Sequence, residues 1–196
     1  GDRQGKSVSF NEDHTVMAVG AYSTVRIYTY NGTAWIQQGG DLDGEAGDRQ
    51  GISVSLSSDG TTLAVGAYKH DSLKGTVRIY SYNGTAWTQK GSDLDGTEAG
   101  DYQGISVSLS SDGTTLAVGA PYHDSSGPSS SAKGTVRVYT YNGTGNEGDL
   151  IWVQKGSDLD GEAGDLQGNS VSLSSDGTTL AVGALGQNSN KGTVRI

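Results

Sequence analysis

Apolar and polar residues alternate in short runs along this chain, and the same runs occur four times. Alternation with a period of two is the pattern of a β-strand with one buried face. In the second copy, the predicted strands are Ser53–Leu56, Leu63–Ala67, Thr76–Tyr82 and Thr85–Lys90. Asp59-Gly60 predicts a tight turn after the first strand, and Asn83-Gly84 predicts a type I′ hairpin before the fourth. Each repeat therefore reads as four antiparallel strands without a helix.

The repeated segment is almost invariant, whereas the spacers between copies differ in length. Gly51–Ala67 has the same sequence as Gly104–Ala120, Gly168–Ala184 differs only at Asn169, and Gly5–Ala21 is more diverged. Four strands in each repeat of this length favour an all-β fold, a β-propeller built from four-stranded antiparallel blades. A parallel β-helix is the alternative, but its coils are much shorter than these repeats.

The four copies predict one propeller segment over residues 1–196. We expect blades at about 1–40, 47–92, 100–157 and 164–196, of which the last is incomplete, because Thr193–Ile196 stops within its third strand. The chain is therefore expected to be part of a larger ring. Its neighbouring blades would come from the same array or from another subunit.

The composition of the chain argues against several classes of binding partner. The net charge of −9 argues against nucleic-acid binding, which needs clustered Lys and Arg. No apolar run is long enough to span a membrane. There is no cysteine, so no disulfide framework exists. With 32 glycines and only 33% apolar residues, the chain is expected to fill thin layers between sheets instead of one thick core.

Acidic residues concentrate in the connections from the fourth strand of one repeat to the first strand of the next. The candidate calcium ligands are Asp41, Asp43, Glu45 and Asp48, then Asp93, Asp95, Glu98 and Asp101, and then Asp158, Asp160, Glu162 and Asp165. Alternating Asp residues before a Gly let several oxygens converge on a hard cation. Turn capping without a metal is the alternative interpretation, and direct contact with a partner is the third.

Other polar motifs have turn chemistry as their simplest explanation. His70 and His123 occupy equivalent loops and would form a zinc site only if the two loops converged. Asn31, Asn83 and Asn142 begin N-glycosylation sequons, but each also lies at an Asn-Gly hairpin.

The aromatic residues recur in register from repeat to repeat. They are Tyr28, Tyr80, Tyr139, Trp35, Trp87 and Trp152. A position that repeats in every copy predicts packing between neighbouring sheets, and stacking on carbohydrate is the alternative.

The run G-x-SVSL…LAVGA-P…GTVRVY resembles the FG-GAP repeat of integrin α-subunit propellers and of secreted repeat proteins. Gly119-Ala120-Pro121 completes the "GAP", while Gln-Gly pairs such as Gln50-Gly51 stand in place of "FG". With the linker GSDLDGEAGD, the unit is especially similar to tandem secreted arrays of marine microbes and algae. The family's calcium loop does not carry over, because Ser57–Thr61 holds a single carboxylate where that loop has several.

The resemblance implies a non-enzymatic module, extracellular or at the cell surface, with a structural, adhesive or protein-interaction role. The loops between the second and third strands vary most in length, so we expect a protein or glycan partner on the face that they share with the acidic connections. The alternative is a carbohydrate-binding propeller, a lectin, or a propeller enzyme that acts on polysaccharide. Either would need exposed aromatic residues or an asymmetric charged cluster on that face.

Overall fold

Four antiparallel sheets follow one another along the chain in the computed structural model, which describes residues 3–124, 131–143, 152–186 and 192–196. Sheet 1 contains β1 (Ser7–Phe10), β2 (Val16–Gly20), β3 (Thr24–Tyr30), β4 (Trp35–Gln37) and β5 (Leu42–Asp43). Sheet 2 contains β6 (Gln50–Leu56), β7 (Thr62–Ala67), β8 (Thr76–Tyr82), β9 (Trp87–Gln89) and β10 (Leu94–Asp95). Sheet 3 contains β11 (Ser106–Leu109), β12 (Thr115–Ala120), β13 (Thr135–Tyr141), β14 (Trp152–Gln154) and β15 (Leu159–Asp160). Sheet 4 contains β16 (Gln167–Leu173), β17 (Leu180–Ala184) and β18 (Thr193–Arg195).

The fourth strand position of sheets 1 to 3 is divided into two short strands. In sheet 1, β4 pairs with Tyr28–Tyr30 of β3 and β5 pairs with Thr24–Val25 of the same strand, both antiparallel. Each of these sheets therefore has four strand positions, as predicted. The second half of the divided strand includes Asp43, which the sequence placed in the connection between repeats.

The third strand of the second repeat has the predicted bounds, but the hairpin that follows it does not have the predicted form. Tyr82 pairs with Trp87, so four residues lie between the two strands instead of two. Gly84 has φ of 95°, whereas Asn83 keeps a negative φ. The Asn83 side-chain oxygen accepts hydrogen bonds from the backbone N–H groups of Thr85 and Ala86 at 3.0 and 2.9 Å. The type I′ prediction was wrong because this side chain closes a longer turn.

A helical turn of four residues interrupts the β-structure. This turn, α1 (His70–Leu73), lies in the loop between β7 and β8 and has non-helical dihedral angles at Asp71 and Ser72. The repeat pattern did not predict it. No helix in the described ranges has the length and apolar character needed to cross a membrane.

The core consists of thin apolar layers between successive sheets, as the composition predicted. Between sheets 1 and 2, Val25 and Ile27 pack in one cluster with Leu63, Val65 and Trp87. The cluster between sheets 2 and 3 includes the equivalent residues Val77, Ile79, Leu116, Val118 and Trp152. Burying a side chain of this size stabilises the fold by about 1.5–3 kcal/mol. Repeated packing of Trp87 and Trp152 between sheets explains why the aromatic positions recur in register.

Serine hydroxyls connect each sheet to the next. The Ser7 Oγ donates to the Gly51 carbonyl at 2.9 Å, and Ser53 and Ser106 make the same bond to the following repeat at 2.8 Å. The second serine of each pair accepts instead: the Leu56 N–H donates to Ser9 Oγ at 3.0 Å. The two serines of the repeated Ser-Val-Ser motif therefore hydrogen-bond to the neighbouring sheet, while its valine lies on the opposite face of the strand.

The sheets approach so closely at these bonds that only glycine fits opposite them. A Cβ on Gly119 would overlap the Gly168 carbonyl oxygen of sheet 4. Gly20 and Gly66 face equivalent carbonyl oxygens. For Gly183 of sheet 4, the three atoms nearest to an added Cβ all belong to Ser170, its strand partner.

We expect Gly119→Ala to destabilise the fold by about 1–3 kcal/mol, because the added methyl group forces sheets 3 and 4 apart. Gly183→Ala is the matched control at the equivalent position and should cost less than about 1 kcal/mol, since the Ser170 hydroxyl can rotate away. Urea unfolding followed by circular dichroism measures both. Equal losses of stability would show that the close approach between sheets does not determine the choice of glycine.

Candidate functional site

Two sets of segments meet on one face of the sheets: the loops between strand positions two and three, and the acidic connections. The Lys69 N–H donates to the Asp48 carbonyl at 3.0 Å, and the Tyr102 N–H donates to the Leu73 carbonyl at 3.0 Å. Gly164 similarly bonds to the Ala132 carbonyl at 3.1 Å. We call this surface the loop face. The prediction that both sets share one face is confirmed.

The first aspartate of each acidic connection is paired with an arginine of the third strand. Arg26 contacts Asp41 at 2.7 Å, Arg78 contacts Asp93 at 2.9 Å, and Arg137 contacts Asp158 at 2.7 Å. The hydrogen bond from Arg26, supported by Gln37, holds the pKa of Asp41 below its usual value. The first aspartates therefore already have cationic partners.

Burial and hydrogen bonding shift the pKa of Asp158 in opposite directions. Burial raises the pKa of Asp158, but hydrogen bonds from Arg137 and Gln154 outweigh it and leave the pKa below its usual value. The carboxylate is thus held in its charged form by protein donors.

Arg78 and Arg137 also contact the buried glutamine of a Gln-Gly pair. Arg137 Nη1 donates to Gln103 Oε1 at 2.6 Å, while Gln103 Nε2 donates to the Leu94 carbonyl at 2.6 Å. Gln50 and Arg78 repeat the arrangement in sheet 2. The glutamine that stands in the place of the family's phenylalanine therefore connects two neighbouring sheets.

The last aspartate of each connection is buried, and in the second and third connections it caps its own loop. The Asp101 carboxylate accepts hydrogen bonds from the N–H groups of Thr97 and Glu98 at 3.0 Å and lies 3.2 Å from His123 Nδ1. The hydrogen bond to Asp101 raises the pKa of His123. Asp165 caps Glu162 in the same way. Capping, one of the two main interpretations of these motifs, is therefore observed at these positions.

Several carboxylates of the connections lie beside the histidines. Ligand atoms of His70, Asp93 and Asp95 lie within 4.8 Å of one another, as do those of His123, Asp158 and Asp160. Glu45 and Asp48 form a further group with His70. None of these groups contains both histidines, so the two loops do not bring them to one zinc ion. Each group offers one nitrogen and two carboxylates, fewer oxygen ligands than the six to eight that calcium takes.

The asparagine side chains of the sequons close their hairpins. Asn31 accepts hydrogen bonds from the Thr33 and Ala34 N–H groups at 2.9 Å, and Asn83 does so at the equivalent position. The third sequon includes Thr144, which lies outside the described residues. Glycosylation remains a prediction at all three asparagines.

Four tyrosines form a line on the loop face that the sequence reasoning missed. Tyr68 and Tyr102 have ring centroids 5.3 Å apart, and Tyr102 and Tyr122 are 4.7 Å apart. The Arg49 guanidinium lies 4.2 Å from the ring centroid of Tyr22. We call Tyr22, Tyr68, Tyr102 and Tyr122 the tyrosine line. One sign of this line is present in the sequence: the residue before the Gln-Gly pair changes between repeats, from Arg49 to Tyr102.

We expect Arg137→Met to destabilise the fold by about 2–3 kcal/mol, because it removes the partner of Asp158 and of the fully buried Gln103 oxygen. Arg26→Met is the matched control. The side chains of Arg26 and Asp41 are 27% and 33% exposed, so that change should cost about 1 kcal/mol or less. Chemical denaturation compares the two variants, and a loss for Arg26→Met as large as that for Arg137→Met would contradict this account.

Comparison with known proteins relates these repeats to a family and a fold. Residues 41–80 match the model of the FG-GAP repeat. The search of curated proteins found no significant match. Two solved structures are similar along 96% of the chain: a putative 6-phosphogluconolactonase from Bacteroides uniformis (TM-score 0.60, 13% identity) and the β-propeller domain of Myceliophteria thermophila Cps50 (Swd1) (TM-score 0.57, 11% identity).

The chain spans about half of each of these structures, 49% of the first and 52% of the second. At such low identity the similarity shows the fold alone. It confirms the β-propeller prediction, and the match at residues 41–80 confirms the resemblance to the FG-GAP repeat. Residues 41–80 of this chain are similar to the FG-GAP repeat, and the chain has a β-propeller fold.

Proposed function

We propose that this chain is a non-enzymatic, extracellular module with a structural or adhesive role, and that it binds a protein or glycan partner on the loop face. The observation that carries the proposal is the contrast between invariant sheets and variable loops on one side of them. Loops held by a rigid sheet scaffold are common sites of recognition. FG-GAP repeats are typically extracellular, which supports the localisation.

The state of the acidic side chains supports a non-enzymatic role. Asp93 and Asp158 are engaged by arginines, and Asp101 and Asp165 cap their own loops. A general acid or base needs a carboxyl group that can reach a substrate and exchange a proton. These carboxylates instead repeat the same structural contacts from sheet to sheet.

Carbohydrate binding is the second candidate function, and the tyrosine line favours it. A lectin needs exposed aromatic residues or an asymmetric charged cluster on the loop face. Tyr68 and Tyr102 are half-buried and in contact, and Arg49 lies over Tyr22 on the same side. The residue before the Gln-Gly pair differs between the second and third repeats, Arg49 and Tyr102, whereas the acidic connections are similar.

Calcium stabilisation is part of the proposal through the second aspartate of each connection. Asp95 and Asp160 are exposed and lie beside another carboxylate, Asp93 and Asp158 respectively. Backbone carbonyls and water would have to supply the other ligands that calcium requires. With a dissociation constant of ~10⁻⁴ M, calcium at about 1 mM would add roughly 1.4 kcal/mol of stability for each site.

Blocking the loop face should abolish partner binding. Because the chain has no cysteine, one introduced thiol can carry a maleimide-linked polyethylene glycol at a chosen point. Attachment to Ser72→Cys on the loop face should weaken binding to isolated extracellular matrix at least tenfold. Attachment to Thr85→Cys, in the hairpin at the opposite end of the same sheet, is the matched control and should change binding less than twofold. Similar binding of both conjugates would contradict the proposed face.

Chelation should lower the melting temperature if the connections hold calcium. We expect EGTA to destabilise the wild-type chain in calorimetry and to have little effect on the triple variant Asp43→Asn, Asp95→Asn and Asp160→Asn. Asp13→Asn, which removes an exposed carboxylate from the turn after β1, should still respond to EGTA. A wild-type melting temperature that chelation leaves unchanged would show that these connections are caps without calcium.

A further inference from the structure

The tyrosine line combines aromatic rings with positive charge in an otherwise acidic chain. Arg3, Lys6 and Arg49 lie 5.3, 5.6 and 4.2 Å from the centroid of the Tyr22 ring. Lys69 lies 5.9 Å from the ring of Tyr68. These four cations gather at one end of the line, although the net charge of the chain is −9.

These cations differ from the arginines of the third strands in having no carboxylate partner among the residues that the structure describes. Arg78 and Arg137, by contrast, each contact an aspartate. The hydrogen bond from Arg3 and the nearby charge of Lys6 lower the pKa of the Tyr22 hydroxyl. The surface around Tyr22 is therefore locally positive and offers donors to an anion.

The backbone places these variable side chains at the same point of every repeat. Arg3, Arg49, Tyr102 and Leu166 each precede the Gln-Gly pair and have φ between 51° and 61°. A left-handed conformation costs a residue with a side chain roughly 1–2 kcal/mol, and such residues cluster at functional sites. The repeats keep this conformation while the side chain changes.

We propose that the tyrosine line and its four cations bind an acidic polysaccharide. Sugar rings would lie with their apolar faces on Tyr22, Tyr68, Tyr102 and Tyr122. Uronate carboxylates or sulfate esters would pair with Arg3, Lys6, Arg49 and Lys69. Guanidinium groups bind such planar or tetrahedral anions through two donors at once.

A repeating polymer fits this surface better than an acidic peptide. The line crosses three sheets and offers one or two aromatic rings from each, with the cations beside Tyr22 and Tyr68. A polysaccharide presents an apolar ring face and an anion at regular intervals. The inference rests on the proposed role of the loop face in partner binding and specifies the chemistry of the partner.

Isothermal titration calorimetry of the whole chain with four polymers tests the inference. Polygalacturonate and a sulfated galactan are the two acidic probes, and neutral galactan and polyglutamate are the comparisons. We expect at least one acidic polysaccharide to bind, more weakly at high salt because exposed charges are screened. Which of the two binds identifies the anion. Neutral galactan and polyglutamate should bind at least tenfold more weakly.

Arg49→Gln and Tyr102→Ala should each weaken this binding at least tenfold. Lys155→Gln, which removes an exposed cation beyond β14, and Tyr30→Ala, which removes an exposed tyrosine from the hairpin end, are the matched controls and should change it less than twofold. Melting curves establish that each variant is folded; if Tyr102→Ala is not, Lys69→Gln at an exposed position replaces it, with an expected loss of threefold or more.

Three outcomes would overturn the inference: no binding of either acidic polysaccharide, equally tight binding of polyglutamate, or binding that Arg49→Gln does not weaken. If the Ser72→Cys conjugate still loses matrix binding in that case, the loop face binds a partner of different chemistry and only this inference fails. If neither conjugate affects matrix binding, the proposed function fails as well.

Discussion

The hydrogen bonds between serine hydroxyls and glycine carbonyls of successive sheets are the constraint on which this structure depends. Ser7, Ser53 and Ser106 each donate to the next repeat, and Gly20, Gly66 and Gly119 allow the approach. The bonds fix how each sheet is placed on its neighbour. Aliphatic residues fill the apolar layers, joined by Tyr80 and Trp87 between sheets 1 and 2 and by Tyr139 and Trp152 between sheets 2 and 3.

A second polar network holds the outer part of the sheets and determines what the acidic connections can do. Gln103 and Asp158 share Arg137, and Asp101 caps the adjacent loop at Thr97, which also contacts Arg137. The carboxylates that the sequence offers as calcium ligands therefore have three different roles. Some pair with arginine, some cap their own loops, and the remainder are exposed. Only that remainder, represented by Asp160, is available to a cation without breaking a structural contact.

The sequence predicted the strands and their order well because each repeat carries local turn signals and a period of two. It failed at the Asn83-Gly84 hairpin, where a side-chain hydrogen bond selected a longer turn than the dipeptide suggests. It also missed the tyrosine line. Tyr68 and Tyr102 are 34 positions apart in the printed sequence and meet only through the stacking of two sheets, which no local pattern encodes.

The residue before each Gln-Gly pair keeps one left-handed backbone conformation but varies in its side chain. Its backbone conformation is the same in each repeat, while its side chain lies on the loop face, where Arg49 contacts Tyr22 and Tyr102 contacts Tyr68. Arginine, tyrosine and leucine therefore occupy the same position in different repeats of one chain, at Arg49, Tyr102 and Leu166. Mutation at this position can change the surface of one repeat without altering the packing of the sheets. Duplicated repeats can therefore diverge into a row of binding subsites that differ in chemistry.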